Sequence, residues 1–158
     1  MNFRKEAAPG ITIGDRVSRK DVKELADEGY ATILDLRTRA EGAPEGVLDV
    51  YEEREVAKEA GLHYENEPVS AQDMNEAVVS KVGGRLLGLP GPIFVHCASG
   101  KRAGAVTLMN LGAANGMKAE ECLALAREMG FDCESEPAIK SLVVEYLEKH
   151  SPAYRDGE

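Results

Sequence analysis

The segment from Ile93 to Arg102 changes character at a single cysteine, and that junction limits the possible folds more than any other stretch of the chain. Ile93, Phe94 and Val95 are apolar and β-branched or aromatic, and the turn signal Gly88-Leu89-Pro90-Gly91-Pro92 precedes them, as for a central strand of a parallel sheet. From about Lys101 the spacing is helical, with Val106, Met109, Asn110 and Ala113 at offsets of three and four, until Asn115-Gly116 offers a left-handed stop. Cys97 therefore stands where a buried strand passes into a helix. Such a junction collects unpaired backbone N–H groups and the positive end of a helix dipole, which bind anions and favour thiolate over thiol. Arg102, five positions on, supplies a planar fork that can close the cradle.

The rest of the chain alternates strand and helix signals. Ile11 to Ile13 reads as a short strand, and Ser18 with Asp21 has capping-box spacing ahead of a helix carrying Val22, Leu25 and Ala26, ended by Gly29. Tyr30 to Leu36 is a second strand, and Arg37 to Gly46 a polar, glycine-rich exposed loop at its carboxyl end. A charged helix over about Tyr51 to Ala60 leads to a strand at Leu62 to Asn66. Ser70 and Asp73 repeat the capping-box spacing before a helix running to about Leu87. Two further helices follow, one with Cys122, Leu123, Ala126 and Met129 on a stripe and one starting at Ser135-Glu136-Pro137. This order predicts a three-layer α/β domain spanning residues 1–158, with a mostly parallel sheet of four to five strands and helices on both faces. Residues 1–10 and 151–158 read as loose ends.

Composition narrows the function. At 158 residues and 43% hydrophobic, the chain suffices for one substantial core. A formal net charge of -9 repels polyanions, which argues against nucleic-acid and anionic-membrane partners but not against a small anion in a local pocket. Three cysteines make no self-contained disulfide framework and lack zinc-ligand spacing. With no signal peptide or membrane-length apolar run, a cytoplasmic protein without metal or cofactor is expected.

The run His96-Cys97-Ala98-Ser99-Gly100-Lys101-Arg102 resembles the phosphate-binding signature of the cysteine-dependent tyrosine and dual-specificity phosphatases. Together with Ile11 to Gly14, Leu34 to Arg37 and Glu67 to Val69, it looks like the bacterial phosphatase-like family found alone or fused to beta-lactamase-like hydrolases. The resemblance implies hydrolysis of a phosphate monoester, with Cys97 as nucleophile and Arg102 as anion clamp. His96 would orient the loop, Ala98, Ser99, Gly100 and Lys101 would line the substrate-binding cradle, and a small phosphorylated or otherwise anionic molecule would be the substrate. The general acid would come from the loop after the Leu62 to Asn66 strand, where Asp73 is the one aspartate and Glu67 and Glu65 are the other carboxylates. Asp73 also fits a purely local capping role. Asp35 and Arg37 would buttress the pocket and Glu41 would lie at its rim.

Two positions depart from the phosphatase pattern. Four residues separate Cys97 from Arg102 where the signature has five, and Ala103 replaces a hydroxyl residue that assists the leaving thiolate. The shorter loop also resembles the rhodanese sulfurtransferases, which carry a persulfide on cysteine, although the Gly-His-Ile segment common there is missing. A non-catalytic anion-binding module is the third reading.

Overall fold

A computed structural model describes residues 1–155. Strands β1 (Arg4–Ala8), β2 (Ile11–Gly14), β3 (Thr32–Asp35), β4 (His63–Asn66) and β5 (Ile93–His96) form one sheet in the order β1-β2-β5-β3-β4. β1 pairs antiparallel with β2, and the other pairings are parallel. β5 is thus central, flanked by β2 and β3, and the run Ile93 to His96 is buried throughout, as its near-continuous apolar composition requires.

Side chains alternate across the sheet and split the core in two. Ile33 and Phe94 face α1 (Arg19–Asp27) and α2 (Val50–Glu59), packing with Val22, Leu25, Val56 and Ala57. Leu34 and Val95 face the opposite layer, α3 (Glu76–Gly88), α4 (Lys101–Ala114), α5 (Ala119–Glu128) and α6 (Pro137–His150), packing with Val82, Val106, Met109 and Leu147. The expected three-layer α/β architecture is therefore present, with helices on both faces. No helix among the described residues is long and apolar enough to cross a membrane.

Several local expectations need correction. Residues 1–10 are not a loose arm: Arg4–Ala8 forms the antiparallel edge strand, the backbone of Asn2 and Phe3 donates to the Asp15 carboxylate, and the terminal ammonium pairs with Asp21. The chain after α6 is not frayed either, as far as Arg155. Ser151 is buried with its hydroxyl donating to the Met117 carbonyl, and the Tyr154 hydroxyl accepts from Ala119 N–H at the start of α5. The remainder of that expected loose end lies outside the described residues. Ser70 and Asp73 do bond reciprocally, but in a turn, because Asn75 caps α3 and the helix begins at Glu76. Arg37, assigned to an exposed loop, is 1% exposed.

Candidate active site

β5 ends at His96, and three residues, Ala98, Ser99 and Gly100, carry the chain from Cys97 into α4. Gly100 caps the helix at φ 94°, a left-handed conformation, and a Cβ there would stand 3.4 Å from Phe3 and 3.5 Å from Phe131. Cys97 is fully buried, and its Sγ accepts from Gly100 N–H at 3.2 Å and from Ala103 N–H at 3.4 Å. The N–H groups of Ala98, Ser99 and Arg102 donate to no acceptor among the described residues. The loop therefore presents open donors around the sulfur, at the start of a fourteen-residue helix. The loop's own hydroxyl, on Ser99, is exposed, and its Oγ accepts from Lys101 N–H at 3.4 Å.

Arg102 is held in place before any ligand arrives. Its Nη1 and Nη2 donate to the two Glu41 carboxylate oxygens, both at 2.7 Å, and Nη1 also donates to the Val69 carbonyl at 2.8 Å. The guanidinium in turn holds the Glu41 carboxyl below its ordinary range. Of the five guanidinium N–H groups three are thus used, and the remaining pair, on Nε and Nη2, lies parallel along one edge. That edge has the geometry to take two oxygens of a tetrahedral anion. Glu41, expected only at the rim, is the arginine's principal partner.

Beneath the loop lies a buried ionic cluster that sequence reasoning saw only in part. Arg37 donates Nε to Asp35 Oδ1 at 3.0 Å and Nη2 to Asp35 Oδ2 at 2.9 Å, and Nη2 also reaches Glu53 Oε1 at 2.9 Å. His96 Nε2 lies 2.6 Å from Glu53 Oε2, its Nδ1 is 3.0 Å from the Cys97 carbonyl, and Tyr64 OH donates to Asp35 at 2.7 Å. Asp35, Glu53 and His96 have no exposed surface. Burial alone would push the His96 imidazolium to lose its proton, but Glu53 and Asp35 outweigh that and raise it to about 9. Burial raises Glu53 as well, against the pull of His96, so the pair keeps its shared proton through neutral pH. For Asp35 the penalty of burial is exceeded by the charges of His96 and Arg37, and its carboxyl is lowered. Asp35 thus balances Arg37, and the Glu53–His96 pair holds one proton between them, so the set is neutral overall. Asp35, Glu53 and His96 are also the types of side chain that ligate metals, but the Arg37 guanidinium already bridges both carboxylates.

The remaining expected residues divide clearly. His96, grouped with the substrate-binding cradle, is walled off from ligand and instead braces the cysteine peptide. The Lys101 ammonium turns to Glu136 at 2.6 Å, so only its backbone faces the loop. Glu67 is buried and paired with Lys81 and Arg85, and Glu65 pairs with His63 and Arg85. Asp73 is exposed, its carboxylate accepting only from the Ser70 hydroxyl among the described residues. Cys122 and Cys133 are buried, and desolvation raises their thiols to about 12 and about 11. Glu53 was missed although a signal existed: it sits on the stripe of Val50, Val56 and Ala57, where an unpaired carboxylate would not survive.

No family model matches the chain. It is 31% identical over 104 residues to the beta-lactamase hydrolase-like protein of Agrobacterium fabrum, covering 66% of this chain and 23% of that one. The protein of the same name from Xylella fastidiosa is 29% identical over 122 residues, covering 77% and 28%. The chain thus spans about a quarter of the length of these curated relatives. Among solved structures, the core catalytic domain of the yeast PP-IP phosphatase SIW14 superposes with a TM-score of 0.73 at 17% identity, over 92% of this chain and 85% of that one. Pseudomonas aeruginosa TpbA, crystallised with pTyr, gives 0.69 at 16% identity, over 98% and 97%. A Neisseria meningitidis protein proposed to be a phosphatase gives 0.72 at 21% identity, over 86% and 92%. The chain has the cysteine-phosphatase fold and, as its loop implied, resembles the phosphatase-like bacterial proteins, sharing sequence with a segment of the beta-lactamase hydrolase-like proteins.

Proposed function

We propose that this protein is a cysteine-dependent phosphatase acting on a phosphate monoester. The observation that carries the reading is the N–H edge of Arg102 left over from its contacts to Glu41 and Val69, next to a cysteine loop in which the N–H groups of Ala98, Ser99 and Arg102 donate to no acceptor among the described residues. Pre-aimed donors of this kind stabilise charge on the equatorial oxygens, the largest contribution in phosphoryl transfer. The Cys97 thiolate attacks phosphorus, the S–P bond forms, and the ester P–O bond breaks. The departing oxygen takes a proton from Asp73, which lies four residues past the Val69 carbonyl that anchors Arg102. Water then attacks phosphorus, the S–P bond breaks, and inorganic phosphate leaves with the thiolate restored. His96 keeps the Cys97 peptide in register throughout. A reducing, cytoplasmic setting suits a chain whose three cysteines are all free.

The short Cys97–Arg102 spacing favours a second reading, sulfur transfer. There the Cys97 thiolate takes a sulfane sulfur from a donor as a persulfide and passes it to an acceptor nucleophile. Hydrolysis of an aryl phosphate by the full chain separates the two. The phosphatase reading expects turnover that disappears in Cys97→Ser and is blocked by orthovanadate. Thiocyanate formation from thiosulfate and cyanide without phosphate release would replace it with the second.

A further inference from the structure

A cavity of about 200 Å³ opens near the carboxyl end of β4, lined by Arg39, Tyr51, Arg54, Tyr64, Glu65 and Asn66. Asn66 pairs in register with Asp35, and Asp35 with His96, so these three residues form one row across β4, β3 and β5. The floor of the cavity is therefore two strand spacings, about 10 Å, from the strand end that carries Cys97. Asn66 is fixed there, its Nδ2 donating to the carbonyls of Asp35 and Arg37.

Charge gathers in this cavity. Arg39, Arg54, Arg16 and Arg155 have no ion-pair partner among the described residues, whereas Arg4, Arg19, Arg85 and Arg127 are paired, and of the four without partners Arg39 and Arg54 line one cavity together. The Arg39 guanidinium rests 5.9 Å from the Tyr51 ring centre, a contact that orients it without neutralising it. The one carboxylate of the lining, Glu65, is engaged by His63 and Arg85. Two uncompensated guanidiniums thus share one concave polar site in a chain of net charge -9. The walls also belong to the elements that build the catalytic loop. Arg39 opens the 3-10 turn Arg39–Glu41, whose Glu41 holds Arg102, and Arg54 follows Glu53, which holds His96.

We propose that this cavity is a second anion subsite, taking a further phosphate group of a small polyanionic substrate whose ester phosphate sits at Cys97. The substrate part rests on the phosphatase reading; the subsite itself does not. Guanidiniums recognise phosphate through paired N–H bonds, and two of them in a cavity whose floor lies about 10 Å from the strand end before Cys97 select for a molecule carrying separated phosphoryl groups.

The test is heteronuclear NMR on the full chain carrying Cys97→Ser, following the side-chain Nε–H signals of Arg39 and Arg54 and the amides of residues 98–102. Orthophosphate is expected to shift both groups. A linear pentaphosphate, long enough to span both sites, is expected to bind at least about tenfold more tightly than orthophosphate. Arg39→Gln with Arg54→Gln, both at exposed positions, should abolish that gain and leave the loop amides responding to orthophosphate as before. Silence of both arginine signals, or an undiminished pentaphosphate advantage in the double variant, overturns the proposal. Failure of the phosphatase reading looks different: no turnover by the unsubstituted chain, with the arginine response intact.

Discussion

Glu53 of α2 holds His96 of β5 through a 2.6 Å contact between Oε2 and Nε2, with neither side chain exposed. The other ring nitrogen meets the Cys97 carbonyl, so a helix on one face of the sheet fixes the peptide of the proposed nucleophile. Removing one member of such a set leaves an uncompensated charge in a medium that solvates it poorly. Glu53→Gln should therefore cost about 3–5 kcal/mol in denaturant unfolding, since it strands Arg37 and His96 together. A loss within experimental error would mean that the cluster contributes little.

The same cluster sets an alkaline limit. His96 is raised from its ordinary 6.5 to about 9, so its contribution is full below 6.5 and is lost as pH rises through about 9. The shift of Glu53 has the same sign, and the lowered carboxylates are ionised in both folded and unfolded states across this window. Stability measured by denaturant midpoint should fall between pH 6.5 and about 9 in the unsubstituted chain. In His96→Asn that decline should flatten. An unchanged slope would place the titration elsewhere.

How much of this was legible in the sequence depends on the range of each interaction. The junction at Cys97 was readable because apolar strand character gives way to helical spacing within a few residues, and Arg102 follows from distance along the chain alone. β1 was not, because Arg4 to Glu6 are charged and its pairing with β2 is set by backbone and by Asp15 rather than by an apolar pattern. Glu53 and His96 lie 43 residues apart, beyond any local rule. Ser70 and Asp73 show the converse error: their mutual bonds form as expected, yet Asn75 supplies a better cap and takes the helix start.

Arg102 and Lys101 are adjacent cations with different tasks. Arg102→Lys keeps charge but loses the paired N–H edge, and kcat/KM on an aryl phosphate should fall about 100-fold or more. Lys101→Ala should change it by less than about threefold, because the ammonium is committed to Glu136 at a half-exposed surface site. Equal losses would show that net charge, not fork geometry, binds the anion.

Glu41→Gln tests whether the arginine is held ready. The amide keeps one acceptor but sets its NH2 against the other guanidinium nitrogen, so one of the two 2.7 Å contacts is lost and the other loses its charge. The guanidinium is held less firmly, and kcat/KM should drop about tenfold, or about 1.4 kcal/mol of transition-state stabilisation. A rise in kcat/KM would mean instead that Glu41 competes with substrate for Arg102.

If Asp73 protonates the leaving oxygen, Asp73→Asn should lower kcat about 100-fold on an alkyl phosphate and much less on an aryl phosphate whose oxygen leaves as a stable anion. Equal sensitivity on both substrates would restrict Asp73 to its bond with Ser70.

The most direct measurement is the mass of Cys97 itself, trapped by rapid acid quench during turnover of an aryl phosphate and located by peptide mass spectrometry. A cysteinyl-phosphate mechanism leaves one added phosphoryl group on the Cys97 peptide, absent in Cys97→Ser. An unmodified Cys97 under phosphate turnover, or a gain of one sulfur atom after thiosulfate with none after the phosphate ester, would contradict it.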